Sequence, residues 1–142
     1  MPNALVPELA VADWQVSRRF YCELLGFEER YQRPGEGFSY LALGQAELMI
    51  DQIGLGRTFE HGHAPQTYPF GKGVNLQVRV QAVAPILQAL EAGKVELYLP
   101  LEERWYAKDA VELGHRQFVV ADPDGYLLRF YEDLGRRPTA MG

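Results

Sequence analysis

The order strand, helix, strand, strand, strand occurs twice along this chain, and that duplication limits the folds open to it more than any other feature. Leu9-Ala10-Val11 echoes Leu76-Gln77-Val78, and Ala46-Glu47-Leu48-Met49-Ile50-Asp51 echoes Tyr126-Leu127-Leu128-Arg129-Phe130-Tyr131. In the first copy residues 5–12 read as a strand and Asp13 as a helix N-cap. Val16, Phe20 and Leu24 recur at helical spacing over residues 14–25, and Gly26 is the stop signal. Three strands follow, at 27–33, 38–43 and 46–52, parted by Pro34-Gly35-Glu36-Gly37 and by Gly44-Gln45. In the second copy 73–80 is a strand, 83–92 a helix with Pro85 in its first turn, and 95–99 a strand. Residues 100–113 read as an irregular connection and 114–121 as a strand. Asp122-Pro123-Asp124-Gly125 then makes a tight turn into the last strand. Proline presets φ there, the Asp122 side chain bonds the turn backbone, and Gly125 closes it. The predicted organisation is one domain of two modules, 1–52 and 73–134, with a connector at 53–72 and a loose tail at 135–142.

Alternate residues of a strand face opposite sides. One parity collects Leu9, Val11, Leu48, Ile50, Leu76, Val78, Val80, Leu128 and Phe130, which should pack beneath the helices. The other collects Val6, Glu8, Met49, Asp51, Gln77, Arg79, Leu127, Arg129 and Tyr131. Burying those polar groups unpartnered is costly. A water-filled, ligand-accepting cleft accounts for them, as does plain exposure to solvent.

Several function classes drop out. A net charge of −5 disfavours nucleic acid, whose phosphates reward a basic face. No apolar run approaches a membrane span, and no secretory signal is visible, so a cytoplasmic protein is expected. The single cysteine, Cys22, rules out an internal disulfide framework and reads as an inert thiol on the first helix. His61-Gly62-His63 alternates imidazoles, yet it lies in a Gly-rich loop with no third ligand nearby in sequence. There is no phosphate loop, nucleophile elbow or nucleotide fingerprint. Arg18-Arg19 and Arg136-Arg137 read as solvated charges, and His115, at the start of a strand, as a surface or edge residue.

Val6-Pro7-Glu8-Leu9-Ala10-Val11-Ala12-Asp13, Phe20-Tyr21, Leu24-Leu25-Gly26-Phe27 and the closing Asp122-Pro123-Asp124-Gly125-Tyr126 resemble the vicinal oxygen chelate superfamily. That group includes glyoxalase I, the extradiol dioxygenases and the bleomycin resistance proteins. The resemblance runs from about residue 5 to residue 134 and implies an α+β fold, two βαβββ modules forming a cupped mixed sheet with a cleft. It also implies a homodimer, sometimes made by swapping modules. The family's metalloenzymes carry His or Glu ligands on the first and last strands of each module. Carried over, the positions are Val6 (counting back from Asp13) or Glu8 (from the internal repeat), then Glu47, Asn75 and Arg129. Valine cannot ligate, a neutral amide ligates weakly, and arginine has no lone pair to give and repels a cation. The resemblance therefore implies a lost metal, with the Arg129 guanidinium in its place and Glu47 as its partner.

Trp105 and Tyr106, Phe38 and Tyr40, and Tyr68 and Phe70 offer flat surfaces for planar, cationic rings. Bleomycin resistance proteins are similar in scheme, although their tryptophan ahead of the strand before the final turn is replaced here by Leu113-Gly114. The expected activity is metal-independent binding and sequestration of a planar cationic antibiotic of the bleomycin class. Glu8, Glu47 and Asp51 would face its cationic groups, and Asn75, Gln77, Arg79 and Arg129 would give polar contacts. Phe38, Trp105 and Tyr106 would stack, with Met49 and Tyr131 completing the site. No catalytic residue, metal or cofactor is assigned, and the partners are a small molecule and a second copy of the chain, neither nucleic acid nor membrane. The alternative is a metal-dependent glyoxalase-like lyase or isomerase, or a dioxygenase, using Glu8, Glu47 and loop histidines.

Overall fold

The computed structural model describes residues 3–56, 63–65 and 67–139. They form an α+β fold with two four-stranded mixed sheets, and the chain divides into two compact units. No helix among the described residues is long and apolar enough to cross a membrane.

Unit 1 holds Met1–Val74 and the turn Asp122–Tyr126. Its chain order is β1 (Glu8–Val11), α1 (Trp14–Arg19), β2 (Glu28–Arg33), β3 (Phe38–Leu43) and β4 (Ala46–Gln52). The sheet order is β1-β4-β3-β2, with β1 parallel to β4 and the other pairs antiparallel. Asp13 caps α1 as expected, Oδ1 accepting from the Gln15 and Val16 amides. The predicted helix does not stay α to residue 25, because Phe20–Leu24 forms one wider π turn. Leu9, Val11, Leu48 and Ile50 are at most 6% exposed and share their face with Ser39 and Leu41. Arg18 of α1 reaches this face, where Glu29 accepts from both Arg18 and Ser39. Arg18 is thus paired rather than merely solvated.

The Asp122–Tyr126 turn explains why its motif is so specific. Asp122 Oδ1 accepts from the amides of Asp124 and Tyr126, both at 2.9 Å. Gly125 adopts φ 92°, and a Cβ there would meet Pro69 at 2.5 Å, so no other residue fits without strain. The outward groups of the turn all engage the β1–α1 region. Asp124 accepts from the Ala12 amide and the Ser17 hydroxyl, and the Tyr126 hydroxyl donates to the Ala10 carbonyl at 2.8 Å.

Unit 2 holds Asn75–Ala121 and Leu127–Gly142. Its elements are β5 (Asn75–Arg79), α2 (Ala84–Ala92), β6 (Leu99–Lys108), β7 (Val111–Ala121) and β8 (Leu127–Pro138). The sheet order is β5-β8-β7-β6, again with the first pair parallel. Val78, Leu128, Phe130, Phe118 and Val120 are buried on one face, as their parity requires. Three expectations are corrected. Residues 95–98 are not strand, and β6 begins at Leu99. The stretch read as an irregular connection is a long β6–β7 hairpin, reversed at Asp109 with φ 57°, a conformation Asp tolerates better than most side chains. Residues 135–138 are not a loose tail but the end of β8. Arg137 lies over the Trp105 ring at 4.1 Å and pairs with Glu112, which holds the end of that strand.

Candidate ligand-binding site

The expected site residues fall on two sheets. In unit 1, Glu8 lies opposite Met49, Tyr40 opposite Met49, Phe38 opposite Asp51 and Ala42 opposite Glu47. Partners across a ladder share a face, so Glu8, Phe38, Glu47, Met49 and Asp51 share the face away from α1. Tyr31 and Arg33 of β2 join them, opposite Tyr40 and Phe38. The Tyr31 and Tyr40 rings stack at 5.2 Å, and the Arg33 guanidinium sits 3.8 Å from the Phe38 ring centre. Burial, then the nearby charges of Glu8 and Glu36, push the Asp51 carboxyl up to about 6. Burial and the Glu47 carboxylate raise the Tyr40 phenol. Glu47 Oε1 itself accepts from the Asn3 amide at 2.7 Å.

In unit 2, Gln77 lies opposite Arg129, Arg79 opposite Tyr131, and Asn75 opposite Leu127, all on the face away from α2. Tyr106 reaches that face, its hydroxyl accepting from Gln117 Nε2 at 2.7 Å. Trp105 does not. It packs on Gly114, where an added Cβ would come within 2.5 Å of its ring, and alternation puts it on the side opposite Tyr106. Trp105 therefore anchors the hairpin and leaves the proposed stacking set.

The same face carries His115, which the sequence reads as a surface or edge residue, and Gln117, which sequence reasoning passed over. His115 stacks on Tyr131 at 4.0 Å with Tyr106 beside it, and Gln117 sits opposite Tyr131. The alternation of Leu113, His115, Gln117 and Val119 was the signal. It stayed hidden while the stretch ahead of it read as irregular. Of the alternating histidines, His63 is exposed, and His61 and Gly62 lie outside the described residues.

The two modules can now be aligned by contact. Gln52 Oε1 accepts from the Trp14 amide at the start of α1, and Glu132 Oε1 from the Val83 amide at the start of α2. With these caps superposed, Met49 corresponds to Arg129 and Glu47 to Leu127. Across the ladders Glu8 then corresponds to Gln77, and counting two residues back along each chain segment sets Val6 against Asn75. The Leu9–Leu76 echo is out of step, since Leu9 matches Val78. Glu47 and Arg129 are therefore not equivalent positions. Neither unit offers a good host for a divalent cation at these positions. Unit 1 supplies the carboxylates of Glu8 and Glu47 beside Val6 and Met49, and unit 2 supplies no carboxylate from Asn75, Gln77 or Leu127 and adds a permanent cation in Arg129. Among the described residues no three His, Cys, Asp or Glu side chains are grouped as metal ligands.

Comparison with known proteins agrees with this architecture. No curated protein matches the chain. A glyoxalase/bleomycin resistance protein/dioxygenase superfamily member from Vibrio splendidus 12B01 is 37% identical, over 90% of this chain and 97% of its own, with a TM-score of 0.40. TioX from Micromonospora sp. ML1 has the same fold at 20% identity, over 93% of this chain and 100% of its own, with a TM-score of 0.69. Lactoylglutathione lyase from Agrobacterium tumefaciens does so at 17% identity, over 93% and 95%, with a TM-score of 0.59. The profile of the Glyoxalase/Bleomycin resistance protein/Dioxygenase superfamily matches residues 4–130, and the chain belongs to that superfamily.

Proposed function

We propose that the protein binds and sequesters a small planar cation without a metal, an antibiotic of the bleomycin class being the ligand its family suggests. The observation that carries this reading is the acidic face of unit 1. Glu8 and Asp51 are neighbours there, close enough for Glu8 to help hold Asp51 at about 6, and aromatic rings lie alongside. A bound cation would relieve that repulsion, and a flat one would lie against Tyr31, the exposed ring of that set. No chemistry is required, because tight binding by an abundant protein protects by mass action. The metalloenzyme reading finds no donor set among the described residues.

Thermal unfolding in the presence of metal-free and copper-loaded bleomycin tests the reading. A ligand at a hundredfold excess over its Kd should add about 2.7 kcal/mol of stability. No shift with either form, together with stoichiometric metal in protein purified without chelator, would reject it. We also propose a homodimer in a cytoplasmic setting. The edge strands β1, β2, β5 and β6 leave unpaired backbone groups that a second copy would satisfy, and light scattering reads the mass directly.

A further inference from the structure

The arginines of unit 2 sort by face. Arg116 pairs with Glu103 and Glu132, and Arg137 with Glu112, all on the α2 side of the sheet. Arg79, Arg104, Arg129 and Arg136 lie on the other side, opposite Tyr131, His115, Val119 and Leu113 respectively. Among the described residues none of these has a carboxylate oxygen within 4.0 Å. The acids of that face are already engaged. Glu102 accepts from Gln117 Nε2 at 3.1 Å, and Asp133 accepts from the Gly135 amide at 2.8 Å. The face is therefore basic, where the corresponding face of unit 1 is acidic.

Its unmet hydrogen bonds say more. Arg129 Nε, Gln117 Oε1 and His115 Nδ1 are buried with no partner among the described residues. Gln117 is 4% exposed, and its Nε2 is committed to Glu102 and Tyr106, so Oε1 is fixed as a bare acceptor. Buried polar atoms are rarely left so, because each forfeits its hydration. Here a donor, an acceptor and a stacked His115–Tyr131 pair meet on adjacent strand positions. At the end of this face a cavity of about 230 Å³, lined by Leu113, His115, Tyr131, Asp133, Gly135 and Arg136, has room for a single ring.

We propose that this face takes a planar aromatic acid. Its ring lies against His115 and Tyr131, its carboxylate accepts from Arg129, and a ring hydroxyl or amino group donates to Gln117 Oε1. Guanidinium matches carboxylate in a planar, two-bond geometry that lysine cannot reproduce. The inference rests on the reading that the strand faces turned from the helices hold ligands, and departs from it in the sign of the charge recognised here.

Amide NMR of the full chain tests it, titrated with benzoate, 4-hydroxybenzoate and benzamidine, the last a cation of benzoate's shape. Both acids should shift β7 and β8 amides around Gln117, Arg129 and Tyr131, with 4-hydroxybenzoate several-fold tighter than benzoate. Benzamidine should leave those amides in place. Arg129→Gln should weaken benzoate at least tenfold and Arg129→Lys by less, each variant keeping a dispersed, folded spectrum. Acids that leave β7 and β8 unmoved overturn the inference, as does benzamidine binding there equally well, or benzoate affinity unchanged in both variants. If benzamidine then still moves β1 and β4 amides, the acidic-face reading survives alone. If no probe moves either sheet, both readings fall.

Discussion

The Tyr21 hydroxyl donates to Asp122 Oδ2 at 2.7 Å, joining residues 101 apart in sequence inside unit 1. Tyr21 is fully buried and Asp122 is 3% exposed. Burial is the largest influence on both, raising the phenol well above its usual range and the carboxyl up to about 6. The bond offsets that cost for Asp122, whose other oxygen is committed to the turn backbone.

Tyr21→Phe should therefore destabilise the protein by about 1–3 kcal/mol, the cost of leaving a buried polar group short of a partner. Urea unfolding at pH 7 should show a lower midpoint with an unchanged slope. A midpoint equal to the parent's would mean water replaces the phenol without loss.

The pH profile should run against the common trend in mild acid. Asp51 and Asp122 both stand at about 6 in the folded protein against 3.8 for the free side chain, so the folded state binds their protons more tightly. Stability should rise as pH falls from about 6 towards 4, by roughly 2 kcal/mol for each carboxyl, and the cost of ionising them should be present in full only above about 7. Glu29, held below the usual carboxylate range by Arg18, reverses the trend only at lower pH, where it must be protonated. Asp51→Asn should flatten the rise measured by urea unfolding between pH 7 and 4.5. Parallel profiles for parent and variant would remove Asp51 from this account.

The matched helix caps make a paired prediction. Glu132→Ala should cost about 1 kcal/mol by freeing the Val83 amide, and Gln52→Ala a similar amount at Trp14. Glu132→Gln keeps an acceptor and should lose less. Thermal unfolding of the three variants checks the order.

Gly114→Ala should cost about 1–3 kcal/mol, because its Cβ would press within 2.5 Å of the Trp105 ring. Trp105→Ala should lower thermal stability yet leave benzoate affinity unchanged, since Trp105 faces away from His115 and Tyr131. A weakened benzoate affinity in a folded Trp105→Ala protein would return that ring to the site.

Much of this was legible in the residues. Hydrophobic alternation placed β1, β4, β5 and β8 and sorted their faces, and the Asp122-Pro123-Asp124-Gly125 turn forms as its chemistry requires. The β6–β7 hairpin was not legible. Pro100, a charge-rich run and the non-glycine Asp109 at the reversal carry weak strand signals. Its order comes from pairing with β7 and from Arg137 closing over Trp105.

By itself the sequence determined the two modules, the apolar and polar side of each strand, and a shortage of metal donors. These depend on residue type and on the period of the chain, which are local properties. Only the tertiary structure decided that Glu8 answers to Gln77 rather than Asn75, that Trp105 turns from the site, and that His115 and Gln117 enter it. Ladder register and helix capping join segments far apart in the chain, and no local pattern encodes which residues those contacts bring together.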